Sequence, residues 1–75
     1  MKITYDPEVD AAYIYLSENR GGEVTTAKVN ERVFLDYGPA DELVGIEILD
    51  ASKVLGFNRS RPEISIDKAL TVVTV

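Results

Sequence analysis

The chain has 75 residues and a formal net charge of −5, and it contains neither cysteine nor histidine. This composition excludes disulfides, thiolate chemistry and sites that depend on histidine. The acidic balance argues against nucleic-acid binding, which needs a basic surface. A core of this size supplies only about 3–5 kcal/mol of net stability, so we expect one domain over residues 1–75 that gains buried surface as a homodimer.

No apolar run approaches the roughly 20 residues that span a membrane. The first ten residues, MKITYDPEVD, lack the apolar region of a secretion signal. We therefore expect a cytoplasmic protein that binds neither membranes nor nucleic acids. Its negative charge is compatible with a basic protein partner.

Alternating apolar and polar residues predict a first pair of strands at residues 2–5 and 12–17. The intervening DPEVD predicts a turn, because the Asp6 side chain can bind backbone amides ahead of it and Pro7 presets the φ angle. Residues 19–23, NRGGE, predict a second turn, since glycine adopts positive φ readily.

Three further strands are predicted at residues 24–29, 33–37 and 43–49. Residues 30–32, NER, favour a tight turn over a bulge, and residues 38–42, GPADE, predict a proline turn. Gly45 lies inside a strand, which indicates close approach of a bulky neighbour. We expect that neighbour to be Phe34.

After residue 49 the spacing of apolar residues changes from the alternation of a strand to the spacing of a helix. Asp50 is the expected N-cap of a short helix over residues 51–55, and Gly56 is the expected stop signal. Two apolar stretches follow, residues 63–66 and 69–75, which predict a hairpin; a short helix over residues 65–70 is the alternative. The uncharged run ALTVVTV is an aggregation hazard as a free edge. We expect it to pair, preferably with a second subunit.

These segments predict a mainly β fold, an antiparallel β-meander of about five strands with one short helix and a β-rich C-terminal tail. The expected core is formed by the apolar residues of the strand faces, Ile3, Ile14, Leu16, Leu35, Val44, Ile46 and Ile48.

Two blocks, MKITYDPEVDAAYIYLS and VFLDYGPADELVGIEILDAS, resemble the small prokaryotic proteins grouped as domain of unknown function 2283. The resemblance covers residues 1 to about 55 and leaves residues 56–75 as a C-terminal extension. It implies a compact β-rich domain without established activity, and an antitoxin-like role in a two-gene operon. The turn in VNERV lacks the glycine expected there.

Asp6, Glu8 and Asp10 follow one another at alternate positions in the first turn. A calcium-binding loop of the helix–loop–helix type would need glycine after the third acid and glutamate at the twelfth position. Ala11 and Ser17 stand there instead. We therefore expect turn chemistry, and neither a metal nor a cofactor.

Glu47 and Asp36 could form a carboxylate pair on neighbouring strands, and such pairs can perform acid–base work. Glu47 could equally form an exposed ion pair with Arg32. No nucleophile motif accompanies these acids. A small-ligand-binding or metal-dependent enzyme using Asp6, Asp10, Asp36 or Glu47 is therefore the second hypothesis.

Tyr13 and Tyr15 share a strand face. They could stack on a ligand, but we favour a face covered by a helix or a partner subunit. Arg59 and Arg61 carry a weaker hypothesis of nucleic-acid contact. The leading hypothesis is a non-enzymatic, self-associating protein-interaction module without catalytic residues. Its candidate interaction surface comprises Tyr13, Tyr15, Arg59, Arg61, Leu70 and Val72.

Overall fold

The computed structural model describes residues 1–17 and 22–65. Within them the chain forms strands β1 (Lys2–Asp6), β2 (Ala11–Tyr15), β3 (Thr25–Lys28), β4 (Val33–Tyr37) and β5 (Leu43–Leu49), then helix α1 (Ala51–Leu55). All strand pairs are antiparallel and the sheet order is β1-β2-β5-β4-β3. The predicted β-rich class is confirmed. The central position of β5, between β2 and β4, departs from the sequential order of a simple meander.

Side chains close the turns. Asp6 Oδ1 accepts the Glu8 N–H at 2.9 Å, as the Asp-Pro pattern predicts. Asn30 Oδ1 accepts the N–H groups of Arg32 and Val33 at 2.8 and 2.9 Å, which confirms a turn there. The predicted turn at residues 19–23 lies largely outside the described residues.

The strand register sets apolar side chains in rows across the sheet. One row, which we call the open row, crosses all five strands and consists of Ile3, Ile14, Ile46, Leu35 and Ala27. The next row on the same face contains Ala12 and Ile48, which are 3% and 5% exposed because Ala51 of α1 packs against them. No residue of the open row is buried, although Ile14 and Ile46 pack against the cluster of Ala12, Ile48 and Ala51.

The predicted core is only partly confirmed. Val44 and Ile48 are buried, whereas Ile3 is 38% exposed and Leu16 is also exposed. The other three predicted core residues, Ile14, Leu35 and Ile46, are half-buried. The difference follows from the shortness of α1, because a strand pattern shows which face is apolar and does not show how much of it is covered.

The segment after α1 turns back along β1. Gly56 ends the helix at φ 74°, as predicted. The Phe57 ring meets the Tyr5 ring edge-on at a centroid distance of 4.8 Å. Residues 62–64 border a groove of about 360 Å³ beside Ile3 and Ala12. Residues 63–65, where a strand was predicted, are not in a strand; residues 66–75, including Leu70 and Val72, lie outside the described residues.

Candidate interaction surfaces

Asp10 joins the first turn to the helix. It has a positive φ of 53° and its side chain is 7% exposed, although the sequence pattern predicts a solvated turn acid. Its Oδ1 accepts the Tyr5 hydroxyl at 2.7 Å and the Ser52 N–H at 3.0 Å. Its Oδ2 accepts the Ser52 hydroxyl at 2.7 Å. Hydrogen bonds from Tyr5 and Ser52 therefore hold the pKa of Asp10 below its usual value.

Asp50 occupies the N-cap position of α1, as predicted, but Asp10 supplies the capping acceptors. Asp50 does precede the helix, yet its side chain makes no capping hydrogen bond. The Asp10 carbonyl accepts the Ala51 N–H at 2.9 Å, so Asp10 binds the first two helical amides. Asp50 instead accepts Arg32 Nε at 2.8 Å. The alternative pairing of Arg32 with Glu47 is therefore wrong.

The two predicted arginines have different environments. Arg59 donates from Nε to the Pro7 carbonyl at 2.7 Å and from Nη2 to the Glu8 carbonyl at 2.8 Å, so it anchors the first turn. Arg61 is exposed and lines a shallow depression on the loop after α1. The structure does not bring either arginine to the tyrosine face.

The face opposite α1 carries polar and aromatic side chains, and we call it the polar face. Two rows cross its five strands: Thr4, Tyr13, Glu47, Phe34 and Lys28, then Lys2, Tyr15, Gly45, Asp36 and Thr26. Tyr13 and Tyr15 lie side by side with ring centroids 4.5 Å apart. The helix packs on the other side of the sheet, so α1 does not cover the tyrosines.

Tyr13 is fixed by Asp36. Its hydroxyl donates to Asp36 Oδ2 at 2.5 Å, and the Thr26 hydroxyl donates to Asp36 Oδ1 at 2.6 Å. Burial and then the hydrogen bond to Asp36 raise the pKa of Tyr13 to about 12. The hydroxyl therefore stays protonated at neutral pH and acts as a donor.

Gly45 provides the space for this arrangement. A Cβ atom at Gly45 would collide with the hydroxyl end of Tyr13. The expectation that an aromatic ring lies across this glycine is correct, but Phe34 is the wrong residue. Phe34 stands opposite Glu47, whereas Tyr13 leans diagonally from β2 across Gly45 to reach Asp36 on β4.

Glu47 lies at the centre of the polar face and is exposed. Its carboxylate forms neither a hydrogen bond nor an ion pair with another residue of the described chain. Over residues 1–17 and 22–65, no group of three or more acidic side chains is placed to hold a metal ion.

Asp10 is the residue whose structural role the sequence pattern did not indicate, since the pattern predicted an exposed turn acid. The local signal for its role was that aspartate tolerates positive φ.

In the part of the chain that the structure describes, no helix is long and apolar enough to cross a membrane. No curated protein and no solved structure matches the chain. The model of the family described as "Protein of unknown function (DUF2283)" matches residues 2–52, which run from the first strand to the helical Ser52. Both Asp10 and its partner Ser52 lie within this range. The chain therefore belongs to the DUF2283 family.

Proposed function

We propose that this protein is a non-enzymatic, self-associating interaction module in which the open rows of two copies pack against each other. One observation carries the proposal. The open row is apolar across all five strands and none of its residues is buried. An extended apolar surface of this kind is typical of a protein contact.

A second copy is the occupant that fits an uncharged surface on an acidic chain. Five strands about 4.8 Å apart, with rows about 6.6 Å apart along each strand, give the open row roughly 160 Å² in plan. A stable interface uses about 800 Å² per partner, so the row alone is too small for a stable dimer. Residues 69–75, ALTVVTV, are uncharged and apolar. We expect them to supply the remaining contact area in the dimer.

The acids named in the enzyme hypothesis are largely engaged in structural bonds, which supports the interaction module. Asp6 closes a turn, Asp10 holds α1, and Asp36 accepts two hydroxyls. An enzyme that uses these acids with a metal would bind it stoichiometrically. Calorimetry with calcium and manganese tests that alternative, and stoichiometric binding lost in Asp10→Asn would support it.

The antitoxin-like role, a cytoplasmic location and a basic protein partner stay predictions of the sequence and of the family resemblance. Co-expression with the adjacent gene tests the first of them. Recovery of a stable complex of the two products would support an antitoxin-like role. Independent purification of both products would argue against it.

Self-association is tested by two lysine substitutions on the same strand. Ile3 belongs to the open row, whereas Thr4 is its neighbour on the polar face, and both are exposed. We expect Ile3→Lys to weaken dimerisation by at least about tenfold, because a charge would be placed in the contact. Thr4→Lys should leave it unchanged. Light scattering after size-exclusion chromatography measures both, with circular dichroism to confirm folding.

A further inference from the structure

The polar face carries a second kind of contact, distinct from the open row. We propose that the Glu47 carboxylate binds an arginine guanidinium of a basic partner protein, with the Phe34 and Tyr13 rings packed beside it. This inference rests on the proposed role as an interaction module and names the chemistry of a partner. It uses the opposite face of the sheet from the one proposed for self-association.

The strand register places Glu47 between two aromatic residues. Tyr13 on β2 and Phe34 on β4 are its direct cross-strand partners. Side chains in such positions have Cβ atoms about 4.5–5.5 Å apart. A planar cation bound to this carboxylate would therefore contact at least one ring. Glutamate is depleted in strands and gains little from the middle of a central one, so a binding role accounts for its position.

The charges of the polar face favour a cation from outside the described chain. The two lysines of the polar face lie on the edge strands, and each already contacts another side chain. Lys28 Nζ lies 2.8 Å from Glu31 Oε1 in an ion pair, and Lys2 Nζ lies 5.2 Å from the centroid of the Tyr15 ring. The centre holds Asp36 and Glu47, and neither forms an ion pair with a described residue. The Lys2–Tyr15 contact also shows that an aromatic ring of this face accepts a cation.

Arginine fits this site better than lysine. Its guanidinium is planar, binds a carboxylate through two parallel hydrogen bonds and stacks on aromatic faces. It is also more weakly hydrated than an ammonium group, so it loses less on leaving water. Nucleic acid is disfavoured, because the two central carboxylates repel phosphate.

The neighbouring row indicates the form of the partner. Asp36 on β4 is the diagonal neighbour of Glu47 on β5, and side chains in such positions are about 7–8 Å apart. Alternate side chains of an extended peptide are about 6.6 Å apart, which is close to this distance. Asp36 already accepts hydroxyls from Tyr13 and Thr26, but a carboxylate has about four acceptor sites. An extended Arg-x-Arg segment could therefore reach both acids.

The test uses the full chain, labelled with nitrogen-15, and the peptide acetyl-Gly-Arg-Gly-Arg-Gly-amide. Amide chemical shifts report where the peptide binds. The same peptide with citrulline in place of arginine keeps the shape and removes the charge. Glu47→Gln removes the proposed ligand group. Glu8→Gln is the matched control, because it makes the same change in the exposed first turn.

We expect saturable shifts confined to the two rows of the polar face, and a dissociation constant about fivefold weaker in Glu47→Gln, the size of one exposed ion pair. Glu8→Gln should bind as the unaltered chain does, and citrulline should not bind. Shifts spread over the whole acidic surface, equal weakening by both substitutions, equal binding of citrulline, or no saturable binding would each overturn the proposal. Self-association is measured separately, so either proposal can fail alone.

Discussion

Ser52 donates two hydrogen bonds to Asp10, one from its N–H at 3.0 Å and one from its hydroxyl at 2.7 Å, across 42 residues of chain. This contact ties the first turn to the start of α1. Ala51 of this helix packs against the buried Ala12 and Ile48 of the sheet, so the contact determines how this part of the small core is closed.

Asp10→Asn is therefore expected to lower the free energy of unfolding by more than Asp6→Asn does. Asparagine offers one acceptor oxygen where the carboxylate accepts three hydrogen bonds. Asp6→Asn is the matched control and should lower the free energy of unfolding by less than about 1 kcal/mol, since one exposed turn hydrogen bond is affected. Urea denaturation measures both. Equal effects would show that the Asp10 contacts add nothing beyond a turn.

The same carboxylate makes stability depend on pH. Its pKa in the folded protein is below the ordinary value of 3.8, chiefly because Tyr5 and Ser52 donate to the charged form. Its stabilising contribution is therefore complete above the unfolded pKa of about 4 and is lost as the pH falls through the folded pKa. We expect Asp10→Asn to flatten the acid limb of the stability curve. An unchanged limb, measured by thermal unfolding from neutral to acidic pH, would contradict the assignment.

Gly45 is expected to be required for stability, because the Tyr13 side chain occupies the space that a larger residue would need. Gly45→Val should destabilise the protein by about 1–3 kcal/mol through overpacking, despite valine's higher strand propensity. The penalty should shrink in a Tyr13→Ala background. Gly38→Ala is the control, because its new Cβ meets only the flexible Glu42 side chain. Chemical denaturation of Gly45→Val, Tyr13→Ala, their double variant and Gly38→Ala measures the coupling free energy between residues 13 and 45. A stabilising Gly45→Val would show that the glycine is incidental.

The sequence was sufficient for the five strands between residues 2 and 49 and for the turns at Asp6–Pro7 and at residues 30–32. Period-two alternation determines which residues of a strand share a face, and Gly56 and the Asp6–Pro7 pair act through local geometry. Strand order was not readable, because the insertion of β5 between β2 and β4 depends on contacts distant in sequence. The roles of Asp10 and Tyr13 depend on that register, since Ser52 and Asp36 approach them only after the sheet forms.

The Tyr13 hydroxyl is expected to ionise far above the ordinary tyrosine pKa of 10.0, near pH 12. Because folding raises this pKa, the associated stability is complete below about pH 10 and is lost as the pH rises through about 12. Asp36→Asn should lower the pKa only partly, since burial is the larger cause. Carbon-13 labelling of the tyrosine Cζ atoms measures it. An ordinary pKa for Tyr13 would contradict the Tyr13–Asp36 contact.

Self-association is the central claim, and sedimentation velocity over a range of concentrations tests it most directly. The full chain should form a dimer, and a chain ending at Ala69 should be a monomer or insoluble, because loss of residues 70–75 removes apolar contact area. A soluble monomer at every concentration, both before and after truncation, would contradict the account.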